Sequence, residues 1–225
     1  MMRDYILTSD NTNKKEESEE NVKSNKNVID SKNIDIKVVN NHIYFYTDVK
    51  NKSAQELNIA LREVETELLM KNKIHEHHKE FIYLHINSFG GSVFAAFSII
   101  DTIRSLKVPV VSIIEGGSAS AATLISVVCD HRIIYKTSYM LIHQLSSCTW
   151  GKMDKLEEEM INLKELMRQI KSIYVKYANI PDEELESILT HDLWWNADIC
   201  LEKGLVDEVQ VTERKYSFSR ELLDL

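Results

Sequence analysis

Glycine is scarce in this chain: six occur in 225 residues, and four of them form two adjacent pairs, Gly90-Gly91 and Gly116-Gly117. Cysteine is scarcer still. Cys129, Cys148 and Cys200 are odd in number, widely spaced and free of any C-x-x-C pair, which excludes a disulfide framework and a cysteine zinc site and reads as ordinary reduced thiols. No apolar run reaches the ~18 residues that a membrane-spanning helix needs, so a soluble protein is expected. Basic residues are in deficit, 27 Lys and Arg against 35 Asp and Glu for a net charge of −8. Binding a phosphate backbone requires a basic footprint, so nucleic acid is not an expected partner. A G-x-x-x-x-G-K-[ST] run is also lacking, which excludes a P-loop for ATP. The start, Met1 to Leu7, has no apolar h-region before Thr8, and a cytoplasmic location is the corresponding expectation.

What is present is a globular composition, 44% hydrophobic, in a length that suits one domain with an appendage. Between Asp10 and Lys26 the only apolar residue is Val22. Residues 1–33 are therefore expected to be a disordered arm, because so little burial cannot offset the entropy of ordering, and residues 34–225 to be the folded domain. From Ile34 the pattern becomes regular. Ile34, Ile36 and Val38 alternate, His42 to Tyr46 is rich in strand formers, and Ser53-Ala54-Gln55-Glu56 fits a capping box before Leu57, Ala60, Leu61, Val64 and Leu68 at helical spacing. Phe81 to Ile86 and Pro109 to Ile114 are short apolar runs. Each leads to a glycine pair and then to a small-residue or apolar helical stretch, so a unit of strand, Gly-Gly turn and buried helix is expected twice. In an α/β layer such turns are where ligands and reacting groups sit.

Arg132 to Tyr135 and Tyr139 to Ile142 read as further strands. Lys152 to Ala178 contains no Gly or Pro and is stopped by Asn179-Ile180-Pro181, a long helix of about 40 Å. Leu156, Met160, Leu163, Met167, Ile170, Tyr174 and Tyr177 recur along it in steps of four and three. Most of that face is expected to be covered by another subunit, because the helix is longer than one small domain is wide.

Gly116 to Ala122 places Ser120 where a strand gives way to a helix. A hydroxyl at such a corner is accessible, small neighbours leave room for substrate, and the following backbone N–H can face a developing oxyanion, an arrangement suited to acyl transfer. A helix N-cap is the plainer reading of the same serine. The spacing does not fit the G-x-S-x-G elbow of α/β-hydrolases. A serine nucleophile needs a base, and the base an orienting group. His75, His77 and His78 lie in a polar connection and form only a weak metal pattern. His143 ends an apolar strand and opens a loop, a position from which a base reaches a neighbouring turn; His131, beside Asp130, and His191, beside Asp192, are its rivals.

These residues carry a resemblance. Phe81 to Val211 is similar to the proteolytic subunit of the Clp protease: Ile86-Asn87-Ser88-Phe89-Gly90-Gly91 resembles its I-N-S-P-G-G turn, Gly116 to Ala122 its nucleophile turn, Leu141-Ile142-His143-Gln144 its M-I-H-Q-P segment, and Asp192 to Asp207 its closing pattern. Weaker similarity reaches back to about Asn41. Phe89 and Leu145 stand where the family has proline, and Ser118 adds a second hydroxyl before Ser120. The resemblance implies a crotonase-like α/β spiral of strand-turn-helix units with a long protruding handle helix. It further implies a serine endopeptidase with Ser120 as nucleophile, His143 as general base and Asp192 as orienting carboxylate, with the N–H groups of Gly91 and Ala121 as oxyanion hole and Asp198 as the lesser choice for the third member. No metal or cofactor is implied. The implied substrates are unfolded polypeptides, the implied assembly is a homo-oligomer of stacked heptameric rings, and the implied partner is an AAA+ ATPase unfoldase. Two alternatives stay open: a catalytically inactive Clp-like ring subunit, and a signal-peptide-peptidase-A-like protease using Lys136 or Lys152 as base.

Overall fold

The computed structural model describes residues 36–74, 80–178 and 180–212. The expected arm, the histidines at 75, 77 and 78, and residues 213–225 lie outside the described residues. The chain opens with a hairpin, β1 (Ile36–Val39) and β2 (His42–Phe45), paired antiparallel. Asn40 makes its turn at φ 54°, a left-handed conformation that Asn tolerates better than most residues.

Helix α1 (Asn51–Ile74) follows and buries Leu57, Leu61, Val64 and Leu68, the helical-spaced residues of the sequence pattern. It starts three residues earlier than the capping-box reading places it. Ser53 sits inside the first turn, where its Oγ accepts the Lys50 N–H at 2.9 Å. A hydroxyl at the third helical position thus reaches back to the residue before the helix, the half of a capping box usually supplied by Glu or Gln.

Strand β3 (Ile82–Ser88) runs to the first glycine pair, and Ser92 then caps α2 (Val93–Ser105) by accepting the Ala95 N–H. Strand β4 (Val110–Ala119) behaves differently from its sequence reading. It does not stop at Gly116-Gly117 but continues through them to Ala119. The glycines mark a change of partner: residues 111–114 pair with β5 (His131–Tyr135), whereas residues 117–119 pair with β6 (Tyr139–Leu141). Gly116, at φ 75°, donates its N–H to Ser138 Oγ at 2.8 Å. Only one glycine pair is therefore a strand-to-helix turn, and the corner after β4 belongs to Ser120. Helix α3 (Ala121–Val127) begins immediately after it.

The remaining elements are α4 (Met153–Tyr177), α5 (Asp182–Leu189), β7 (Trp194–Asn196), α6 (Ala197–Glu202) and β8 (Glu208–Gln210). The sheet runs β1-β2-β3-β4-β5-β8. It is parallel from β2 onward, and β6 and β7 form an antiparallel branch beside the upper half of β4. This mixed α/β arrangement closes a core of Ile82, Leu84, Ile86, Val110 and Ile114 against Ile99, Leu124 and Ile125, and each such side chain contributes roughly 1.5–3 kcal/mol on burial.

Helix α4 divides into two halves. Ile170, Ile173 and Tyr174 are buried in the chain's own core, whereas Met153, Leu156, Met160 and Ile161 are exposed. The expectation that most of this face needs another subunit is corrected for its C-terminal half. That half packs on α3 and is covered there; the N-terminal half buries Glu159 but leaves those four apolar side chains exposed.

Candidate active site

Between Ala119, the end of β4, and Ala121, the start of α3, Ser120 alone makes the corner. Its backbone lies at φ 60°, ψ −126°, a conformation that costs a residue bearing a Cβ on the order of 1–3 kcal/mol and persists only where the surroundings hold it. The Ser120 N–H donates to Leu141 O at 2.8 Å, and its carbonyl accepts from Thr123 N–H at 3.0 Å and Thr123 Oγ1 at 2.6 Å. Tyr174 of α4 stands behind that contact, its hydroxyl 2.6 Å from Thr123 Oγ1. Because the Thr123 proton goes to Ser120 O, Tyr174 is the donor of this pair, and burial, pushing the phenol pKa up, keeps that proton in place. Nothing in the sequence pattern pointed to this chain of hydroxyls, since Tyr174 reads there as one more seam residue.

Ser120 occupies the N-cap position of α3, yet its side chain makes no capping hydrogen bond. The Oγ is buried and has no hydrogen-bond partner among the described residues. Ser118 Oγ is likewise unpartnered, but Ser118 is an interior residue of β4, with Ser88 on one side and Met140 on the other, so it is not at the corner.

The glycine turn after β3 packs directly on that corner. A Cβ on Gly90, at φ 92°, would stand 2.7 Å from Ser120 Cβ and 2.9 Å from Ala121 N, and a Cβ on Gly91, at φ 145°, would stand 2.3 Å from Val49 O. Only glycine fits at either place. Val49 bridges this turn through Val49 N–H to Gly90 O and Ser92 N–H to Val49 O. That pattern leaves the Gly91 N–H outside the pairing. Ala121, as first residue of α3, has an N–H without an intrahelical acceptor. Among the described residues neither the Gly91 nor the Ala121 N–H makes a backbone hydrogen bond to another element.

Strand β6 delivers His143. The Leu141 carbonyl that receives the Ser120 N–H is two residues upstream of it, and Gln144 N–H donates to Leu189 O at 3.0 Å, fastening the following chain to the end of α5. His143 is largely buried and turns Nδ1 toward Asp192, whose Oδ1 is 3.9 Å away on a side chain that is 78% exposed. That separation lies outside the hydrogen-bonding range of about 2.7–3.2 Å. The structure therefore brings His143 and Asp192 together and anchors Ser120 to the same strand end, but joins the Ser120 hydroxyl to no base.

The rivals are engaged elsewhere. Asp198 binds Lys136 with both carboxylate oxygens at 2.6 Å, which also occupies one of the two lysines offered for a Ser/Lys mechanism. His131 lies at the β5–β8 edge between Asp207 and Glu208. His191 is exposed. Cys129 and Cys200 are buried, and burial pushes each thiol up to about 12, far from reactive thiolate behaviour.

Two features escaped the sequence reading. Phe89 and Trp194 pack edge to face beside Gly117; the only signal was Phe89 in place of proline. Across β2, β3 and β4, His42 Nδ1 lies 2.8 Å from His85 Nε2, His85 Nδ1 lies 2.8 Å from Glu115 Oε1, and Tyr46 OH donates to Glu115 Oε2. Burial and the adjacent His42 push His85 down to about 4, and burial raises Glu115. Desolvation outweighs the attraction between the pair, so both groups move toward their neutral forms.

Among the described residues no group of three His, Cys, Asp or Glu is arranged to hold a metal, and no helix is long and apolar enough to cross a membrane. Residues 31–213 match the family model described as Clp protease, a span that includes the glycine turn, Ser120, His143 and Asp192.

Proposed function

The chain belongs to the Clp protease family, and from that premise we propose that it is a serine endopeptidase cleaving unfolded polypeptides inside an oligomeric chamber supplied by a separate AAA+ ATPase. Ser120 is the nucleophile, His143 the general base, Asp192 its orienting carboxylate, and Gly91 and Ala121 N–H the oxyanion hole. The observation that carries this reading is the Ser120 corner: a serine at positive φ in the N-cap position that caps nothing, pressed against Gly90. An N-capping serine needs neither the strained backbone nor the unpartnered hydroxyl.

In this reading His143 Nε2 removes the Ser120 proton as Oγ attacks the scissile carbonyl. The tetrahedral oxyanion is held by the two backbone N–H groups that secondary structure leaves free. The imidazolium then protonates the leaving amine, and water repeats the sequence on the acyl-enzyme. Asp192 closes from 3.9 Å to a hydrogen bond with Nδ1, since catalytic contacts are often long before substrate binds. The exposed N-terminal half of α4 serves as the handle helix and the ring-stacking surface.

A catalytically inactive ring subunit is the second reading, favoured by that same gap and by the unpartnered Ser120 hydroxyl. A fluorophosphonate probe followed by mapping of the modified residue separates the two. The active peptidase labels at Ser120 and loses labelling in His143→Ala. Absence of labelling in the assembled protein supports the inactive subunit, and labelling that survives His143→Ala removes histidine as the base.

A further inference from the structure

Phe89 immediately precedes the Gly90-Gly91 turn, and Trp194 opens β7 two residues after Asp192. Their ring centroids are 5.9 Å apart at an interplanar angle of 78°. Both rings lie over Gly117, where a Cβ would be 3.7 Å from Trp194 Cζ3 and 3.8 Å from Phe89 Cε1. Three segments therefore meet at this pair: the turn bearing the Gly91 N–H, the last residues of β4 before Ser120, and the connection carrying Asp192. The rings remain 64% and 44% exposed, so burial in the core does not account for them.

We propose that Phe89 and Trp194 are positioning residues whose edge-to-face contact clamps the Asp192 connection onto the oxyanion turn and so keeps the carboxylate facing His143, within reach of the closure that completes their contact. This rests on the reading of Ser120, His143 and Asp192 as the catalytic set. Asp192 is too exposed and too far from His143 for their own contact to hold the connection. Backbone bonds secure its flanks, Gln144 N–H to Leu189 O before it and the Leu141–Trp194 register after it. Both of these fasten it to the β6 side of the site. The ring pair supplies the tie to the opposite side, where the oxyanion donors are. An aromatic pair in this geometry has an energy beyond its area that corresponds to about 2- to 12-fold in a rate when it is lost from the aligned state.

The test uses the full-length assembled protein and a short fluorogenic peptide. It compares kcat, KM and the pH profile of kcat/KM for wild type, Phe89→Ala, Trp194→Ala, Trp194→Phe, Asp192→Asn and the Asp192→Asn/Trp194→Ala double variant. The clamp requires both alanine variants to lower kcat by about 2- to 12-fold with KM nearly constant. It also requires the acid limb to move to lower pH, because an imidazole separated from its carboxylate binds a proton less tightly. Trp194→Phe, which keeps a ring edge, restores both readouts, and Trp194→Ala has no further effect once Asp192 is Asn. A rise in KM with kcat unchanged would make the rings a substrate subsite, and an equal loss in the Asp192→Asn background would make them structural support; either outcome overturns the clamp. Should Asp192→Asn reduce the rate while the ring variants do not, the clamp fails alone. An Asp192→Asn protein of wild-type rate removes the catalytic reading beneath it.

Discussion

His85 meets Glu115 at 2.8 Å with both side chains mostly withdrawn from water, whereas His143 meets Asp192 at 3.9 Å with the carboxylate largely in solvent. By distance alone the first is the better-oriented base. Its second nitrogen, however, is occupied by His42, and Glu115 is further occupied by Tyr46, so both nitrogens of His85 and both carboxylate oxygens of Glu115 are engaged. His143 keeps Nε2 free of any hydrogen bond among the described residues and stands at the strand end that holds the Ser120 backbone. A base needs an uncommitted nitrogen near a nucleophile, and a completed network has none. The two pairs also differ in support: one spans adjacent strands, the other joins two connections, where catalytic groups usually reside and where alignment depends on neighbouring packing.

The largest expected effect comes from removing the proposed nucleophile beside the loose pair. Ser120→Ala should abolish peptide cleavage by on the order of a million-fold while leaving oligomer size and thermal unfolding nearly unchanged, and residual activity of a few per cent would move the assignment to Ser118. Next, the two acids should separate the pairs. Asp192→Asn should cut turnover by about four orders of magnitude, because the amide favours the wrong tautomer, while Glu115→Gln should cost about 1–3 kcal/mol of stability and leave turnover near wild type. Equal rates for the two variants would erase the distinction drawn between them.

A smaller effect is expected at α4, whose halves repeat the contrast of settled against open. Ile170→Ala should destabilise the protein by about 2–5 kcal/mol in denaturant unfolding. Met160→Glu, on the exposed half, should change monomer stability by less than about 0.5 kcal/mol yet split the assembly in size-exclusion chromatography with light scattering. A wild-type chain that runs as a monomer and still cleaves peptides would refute the chamber.

The smallest is a pH effect on the tight pair. His85 has a folded pKa of about 4 against an ordinary 6.5, so its contribution to stability is complete above 6.5 and is lost as pH falls toward 4. Glu115, raised by burial, acts with the opposite sign and returns part of that loss as it protonates. Melting temperatures should therefore fall between pH 6.5 and 4, and fall more steeply in Glu115→Gln. A pH-independent melting temperature across that interval would mean that His85 is not held neutral by the fold.

Residue types and periods determined a good deal on their own. The order of strands and helices from Ile36 to Tyr177 follows from alternation, apolar runs and helical spacing, whereas the short elements after Pro181 carry too little periodicity to be read that way; the three proposed site residues were singled out by motif order, which a linear string preserves. What the sequence misjudged depends on pairing between distant segments. Gly116-Gly117 reads as a turn, yet β4 continues through it because β6, more than twenty residues onward, supplies a new partner for residues 117–119. The Ser120 conformation, the Tyr174–Thr123 support and the Phe89–Trp194 contact were invisible for the same reason. The seam of α4 was read correctly as apolar but not as two halves, since periodicity reports which residues share a face and not which of them the rest of the chain covers. Local patterns are written by the short-range geometry of the backbone, so one chain carries them. Which hydroxyl is strained, which imidazole is left a free nitrogen and which apolar residues stay uncovered are set by neighbours far apart in sequence, and only the tertiary structure brings those neighbours together.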